Sequence, residues 1–154
     1  MALIDDRSEL ASAYALTTGA TGRQLVGDVM DLRGTTVAPN AATGLADLHL
    51  VVVVAQAFTS GGAATVAFEV CSDAQGSIAT DGSATRHYAT GQIPVASLIA
   101  GALALVVRLS EHPPAERYLG LLANVGTASL TAGKVSAYLT TDPPTWRALA
   151  DNIN

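Results

Sequence analysis

Charge, aromatic side chains and cysteine are all scarce in this chain of 154 residues. Charged residues make up 14% of it, against roughly 25% in an average soluble domain. The eight Lys and Arg residues are scattered, and the net charge is −5. Because phosphate groups are bound by clustered basic side chains, we expect neither nucleic acid nor an anionic membrane surface as a partner.

The single cysteine, Cys71, cannot form an internal disulfide, which favours assembly in a reducing compartment. It follows a position predicted to face the core, with no cationic neighbour to favour a thiolate, so we interpret it as a small strand-end residue. The N-terminus turns acidic at Asp5 and Asp6 without a basic or apolar leader, and we expect no secretory signal.

A long membrane-spanning run is also missing. Residues 89–107 carry no charge, but a spanning helix needs about 20 apolar residues in sequence. This stretch contains Gln92, Pro94, Ser97 and Gly101. A turn or short helix followed by a strand is the better interpretation.

What the chain has in abundance is aliphatic side chains. Hydrophobic residues make up 49% of it, which argues against disorder. With so little charge to cover the surface, this surplus indicates that a partner covers part of the apolar surface.

Strand-like runs recur at intervals of 10 to 15 residues with short polar connections, too short for crossover helices. This spacing predicts an all-β fold, a jelly-roll-like antiparallel β-sandwich with an extended N-terminal arm and a short C-terminal tail. We predict an arm at 1–24 with a short helical turn at 8–13, a sandwich domain at 25–141 and a tail at 142–154. The predicted strands are 24–32, 48–54, 64–71, 84–89, 104–109, 118–125 and 134–140.

Two of these runs are the most informative. Residues 48–54 are almost all β-branched or aliphatic, which predicts a strand buried on both faces. In residues 64–71 the alternation places Val66, Phe68 and Val70 inward and Glu69 outward. The polar residues 72–83 are predicted to form a surface loop.

The two ends of the chain hold the candidate partner-binding residues. Asp142 followed by Pro143 is typical of a helix start, and Trp146, Leu149 and Ile153 share one helical face. The tail either packs on its own sandwich or reaches a neighbour. We assign partner binding to Leu3, Ile4, Tyr14, Trp146, Leu149 and Ile153.

No motif in the chain carries recognisable catalytic or metal chemistry. His49, His87 and His112 lack ligands at metal-binding spacing, and Asp5, Asp6, Asp28 and Asp31 are interpreted as solvated loop acids. A triad of Ser72, His87 and Asp81 can be written, but no nucleophile elbow supports it. We therefore predict no enzyme, no catalytic residue, no metal and no cofactor.

The order of four segments resembles the jelly-roll capsid cement, or decoration, proteins of tailed bacteriophages. They are LVVVVAQAFTSGGAATVAFE at 50–69, TGQIPVASLIAG at 90–101, ERYLGL at 116–121 and LTAGKVSAYL at 130–139. Physically, the first is a strand, a Gly turn and a second strand. The second is a corner where Pro94 blocks ladder pairing, and Gly133 in the last lets the chain turn into a strand.

The resemblance implies a non-enzymatic virion structural protein that binds the outer surface of the assembled major-capsid lattice and stabilises it. The implied partners are the phage major capsid protein and further copies of the chain, as a symmetric dimer or trimer. The implied location is the outer capsid surface, after assembly in the bacterial host cytoplasm. The alternative is another non-catalytic β-sandwich, such as a phage tail or fibre component or a carbohydrate-binding domain, although seven aromatic residues are few for a sugar platform.

Overall fold

A computed structural model describes residues 8–32, 48–109 and 116–142. Nine β-strands and a short 3-10 turn, Val95–Ser97, lie in these residues. The strands are β1 Glu9–Ala15, β2 Gly22–Asp31, β3 His49–Ser60, β4 Thr65–Asp73, β5 Thr85–Ala89, β6 Ile93–Pro94, β7 Leu103–Arg108, β8 Tyr118–Gly126 and β9 Leu130–Thr140.

The strands form two antiparallel sheets that face each other. Sheet A has the order β1-β9-β3-β7, and sheet B has the order β2-β8-β4-β5, with the two-residue β6 paired to β4. The chain crosses to the other sheet after each of β1, β2 and β3 and stays in sheet B from β4 to β6. It then crosses again after each of β6, β7 and β8. This order of eight main strands in two four-stranded sheets is a jelly roll. The predicted fold class is confirmed.

The core lies between the sheets and is built by the alternation of side chains along each strand. Val66, Phe68 and Val70 of β4 enter it, as predicted. Leu50 and Val52 of β3 meet them from sheet A. The other strands contribute mainly aliphatic side chains, which are Leu10, Val26, Leu105, Val107, Leu119, Leu121, Ala123, Val125, Leu130, Val135, Ala137 and Leu139.

The N-terminal region differs from its prediction. Residues 9–15, assigned to an arm, form strand β1 and pair with β9 at the edge of sheet A. The predicted helical turn at 8–13 is wrong, because cross-strand pairing with β9 overrides the weak local preference of these residues. Residues 1–7 of the predicted arm lie outside the described residues.

Close packing joins the two sheets where β1 meets β2. Gly27 of β2 has a φ of +66°, and a Cβ there would lie 2.0 Å from the backbone oxygen of Leu10. Glycine is required at this position, both for its backbone conformation and for the approach of β1. The register of β2 against β8 shifts in the same region, between Val26 and Met30.

The uncharged stretch at 89–107 forms the predicted turn and strand. β6, the 3-10 turn and β7 follow one another here, and the backbone N–H of Phe58 donates to the carbonyl of Leu98 at 3.0 Å. In the described part of the chain, no helix is long and apolar enough to cross a membrane. The predicted tail beyond residue 142 lies outside the described residues.

Candidate functional site

The large exposed apolar side chains lie at the edges of sheet A and in the segment that enters it. Four large hydrophobic residues are 39% to 62% exposed among those described: Tyr14, Ile99, Leu103 and Val106. Tyr14 lies on β1 and Leu103 and Val106 lie on β7, the two edge strands of sheet A. Ile99 lies in the segment that enters β7. We call Ile99, Leu103 and Val106 the β7 patch.

The outer face of sheet A is also apolar at its centre. Val51 lies between Leu50 and Val52, whose side chains enter the core, so its own side chain points to the outer face. Val51 is nevertheless fully buried, and its cross-strand neighbours are Val106 on β7 and Tyr138 on β9. A sheet face that met only water would carry polar side chains at such positions.

Part of the outer face of sheet B, in contrast, is covered by the chain itself. Ile78, in the loop between β4 and β5, forms a second small core with Cys71 and Leu122. A Cβ at Gly120 of β8 would lie 2.8 Å from the Ile78 Cδ1 atom, so the loop lies directly on the sheet. Asp73 fixes the loop by accepting hydrogen bonds from the backbone amides of Gln75 and Ala79, at 3.0 and 3.1 Å.

A polar cluster lies beside this loop and is centred on Glu69 of β4. Arg23 Nε, from β2, donates to Glu69 Oε2 at 2.8 Å, and Asn124 Nδ2, from β8, lies 3.4 Å from Oε1. Arg86 Nη1, from β5, lies 3.6 Å from the same Oε1. The four main strands of sheet B, β2, β8, β4 and β5, therefore each contribute a side chain to the cluster.

Electrostatics keep this cluster charged. Burial by itself would raise the pKa of Glu69, but the hydrogen bond and charge of Arg23, with smaller contributions from Asn124 and Arg86, lower that pKa below its ordinary value. The neighbouring Cys71 thiol has its pKa raised to about 11, first by burial and then by the charge of Glu69. Cys71 is thus a neutral thiol at neutral pH, although Arg23 and Arg86 lie nearby. It lies inside β4, which continues to Asp73, and not at the strand end that the sequence predicts.

Ser72 and His87 do come together, but not as a nucleophile and its base. Ser72 Oγ donates to Glu116 Oε2 at 3.1 Å, and His87 Nε2 lies 2.7 Å from the same Oγ. Since the hydroxyl has one proton, His87 Nε2 is the donor in the second bond. The carboxylate contacts the serine, and Ser72 is fully buried. This polarity is the reverse of a hydrolytic triad.

The third residue of that written triad lies elsewhere. Asp81 accepts hydrogen bonds from the backbone N–H and the hydroxyl of Ser83, at 2.9 and 2.6 Å. Asp31, interpreted from the sequence as a solvated loop acid, ends β2 and binds Arg117 at 2.9 and 2.6 Å. The Arg117 guanidinium also lies 4.9 Å from the ring centroid of Tyr118. These contacts join β2 to the start of β8.

The described residues contain no group of three or more His, Cys, Asp or Glu side chains placed to hold a metal ion. His49 lies at the start of β3, with its Nδ1 buried and without a hydrogen-bond partner, and His87 lies on β5. His112 lies outside the described residues.

Of the predicted partner-binding residues, Tyr14 can be located, and it is exposed on β1. Leu3, Ile4, Trp146, Leu149 and Ile153 lie outside the described residues. Sequence reasoning missed the β7 patch and the Glu69 cluster. The first was detectable, because residues 103–107 are apolar at every position and cannot all face a core. The second had no local signal, because Arg23, Glu69, Arg86 and Asn124 are far apart in the sequence.

Comparison with known protein families relates nearly all of the sandwich to one of them. The profile of a family described as Bbp16, a phage-associated name, matches residues 10–139. This range covers the jelly roll from β1 to the end of β9. No curated protein matches the chain.

Proposed function

This chain belongs to the phage-associated Bbp16 family, and on that premise we propose that it is a capsid cement protein. It binds the outer surface of the assembled major-capsid lattice and stabilises it, without catalysing a reaction. It does so on the virion, as a symmetric homo-oligomer that assembles in the host cytoplasm.

The observation that carries the proposal is the difference between the two sheets. Every exposed large hydrophobic side chain of the described residues belongs to sheet A or to the segment that enters it, whereas sheet B is covered by its own loop. Contiguous exposed apolar surface marks a site of protein association. Within the described ranges, β7 pairs with β3 alone, so the β7 patch also borders the edge of sheet A, which is a further place for a partner to bind.

Cement activity follows from binding alone. A protein that binds the mature lattice more tightly than the separated subunits stabilises the lattice by mass action. Repetition of the same contact over the shell lets each contact be weak. Neither step needs a nucleophile, a metal or a cofactor.

Co-sedimentation with purified phage heads from which the protein has been removed tests the proposal. We expect the wild-type chain to bind with saturable stoichiometry and to raise the temperature at which the heads break. Val106→Asp and Leu103→Asp each place a charge in the β7 patch, and we expect each to weaken binding at least tenfold, because burying an unpaired charge costs well over about 1.4 kcal/mol.

Thr18→Asp is the matched control. It adds the same charge at an exposed position of the connection between β1 and β2, and we expect it to bind heads like the wild type. Thermal melting verifies that all three variants are folded. Failure of the wild-type chain to bind heads, or equal binding by the control and both β7 variants, would contradict the proposal.

A further inference from the structure

We propose that the depression between Arg23 and Arg86, on the outer face of sheet B, binds one carboxylate group of a neighbouring protein subunit. The partner in this inference rests on the proposed function, since a virion lattice supplies the neighbouring subunit. The chemistry of the site rests on the geometry of the Glu69 cluster alone.

The Glu69 cluster contains two arginines and one glutamate. Two guanidinium groups, those of Arg23 and Arg86, share the single carboxylate of Glu69, whose side chain is 4% exposed. Asp81, in the nearby loop, accepts hydrogen bonds from Ser83 and keeps its own negative charge. Among the described residues, Glu69 is the one carboxylate that forms an ion pair with either arginine, so the two guanidinium groups share a single ion-pair partner.

Arg86 has N–H donors that Glu69 does not use. Arg23 is held by Glu69 through Nε and Nη2, at 2.8 and 3.5 Å. The Arg86 side chain is 55% exposed and its contact with Glu69, at 3.6 Å, is longer than a hydrogen bond. A guanidinium has five N–H donors in a planar fork, so Arg86 retains a pair for a second carboxylate.

The depression is large enough for a carboxylate group. The depression has a volume of about 190 Å³, and its wall beside the guanidinium groups consists of the small residues Ala79, Gly82 and Ala84. This volume is equivalent to about six water molecules in the liquid, which is enough for a carboxylate group and its stem. Gly82, with a φ of +98°, adds no side chain beside Arg23, where a Cβ would lie 3.4 Å from Nη1.

The charge selects the class of ligand. A carboxylate carries one negative charge and matches the free donor pair of Arg86. A phosphate carries more than one negative charge at pH 7, and the buried Glu69 carboxylate beside the site repels it more strongly. An Asp or Glu side chain on the surface of a neighbouring subunit has the required chemistry.

The position of the site gives it a role. It lies on the outer face of sheet B, whereas the β7 patch belongs to sheet A on the other side of the sandwich. A molecule that binds one neighbour through apolar contacts and another through an ion pair joins the two, which is what a cement requires.

Acetate is the probe that tests the chemistry. Sodium acetate is titrated at pH 7 against sodium chloride of equal ionic strength, and amide chemical shifts are followed by NMR. We expect saturable shifts at Gly82 and Ala84 and at the side-chain Nε of Arg86. In Arg86→Gln the acetate affinity falls about tenfold, the usual effect of losing a charged hydrogen bond. The control Lys134→Gln removes the same charge from β9 of sheet A and keeps the wild-type affinity.

Shifts that grow linearly with acetate, shifts that persist unchanged in Arg86→Gln, or tighter binding of inorganic phosphate would overturn the site. Binding to phage heads then tests the partner separately. We expect Arg86→Gln to bind heads more weakly than the wild type. Wild-type head binding by a variant that has lost acetate overturns the subunit contact, and acetate binding by a chain that never binds heads overturns the proposed function while the site stands.

Discussion

Glu69 is the central residue of the polar cluster on the outer face of sheet B. Its buried carboxylate holds Arg23 and positions Arg86. Because the pKa of Glu69 is lowered from 4.5 in the folded state, the charged group contributes stability at pH values above 4.5. That contribution is lost as the pH falls through the folded-state pKa.

Glu69→Gln is expected to lower the free energy of unfolding at pH 7 by about 1–3 kcal/mol, because it leaves two arginines without their charge partner. Denaturant unfolding at pH 7 and at pH 3 measures this. The difference between wild type and variant shrinks at the lower pH, because the carboxylate of the unfolded chain takes up a proton below pH 4.5. A difference that is constant across this range would show that the charge of Glu69 does not stabilise the fold.

At the scale of the strand, Gly27 lets β2 approach β1 and join the edges of the two sheets. Gly27→Ala places a Cβ 2.0 Å from the Leu10 carbonyl oxygen and adds an unfavourable φ of +66°. We expect it to cost more than about 2 kcal/mol of unfolding free energy, because the added Cβ meets the backbone of Leu10 and not the end of a flexible side chain.

Gly19→Ala separates the two contributions. Gly19 has a similar φ of +79° but nothing within 4 Å of its Cβ position. We expect this control to cost only about 1 kcal/mol, the backbone contribution alone. Equal losses of stability in the two variants would show that contact between β1 and β2 at Gly27 is unimportant.

The sequence predicts some strands far better than others, for a physical reason. β4 has strong alternation, so its inward residues can be assigned from the amino-acid pattern alone. β1 has small residues with little alternation, and its strand conformation depends on pairing with β9. β3 continues to Ser60, beyond its predicted end, because Gln56 and Thr59 pair with β9 although Thr-Ser-Gly-Gly is typical of a turn.

The candidate sites show the same division. Residues 103–107 alone predict an apolar strand, but whether that strand is exposed at an edge depends on which strands lie beside it. The Glu69 cluster is assembled from four strands in the order β2-β8-β4-β5, and that order is a property of the complete jelly roll. Sequence periodicity predicts which face of a strand points inward, but it does not predict which strands lie beside it.

At the scale of the whole molecule, the two sheets have different surfaces. Sheet A carries the exposed apolar side chains, and sheet B carries its own covering loop and a cationic depression. Among the described residues, the large exposed apolar side chains of this weakly charged chain lie on the edge strands of sheet A and in the segment that enters β7. We therefore expect apolar contacts at the β7 patch and an ion pair at the depression on sheet B.

We propose that this chain covers a phage capsid and is held there through the β7 patch. A cryo-EM reconstruction of the mature head of the phage that encodes it tests this proposal. We expect jelly-roll density in repeated copies on the outside of the capsid, with Leu103 and Val106 buried against the capsid protein or another copy of the chain. A head without this density, or density in which the β7 patch faces solvent in every copy, would contradict it.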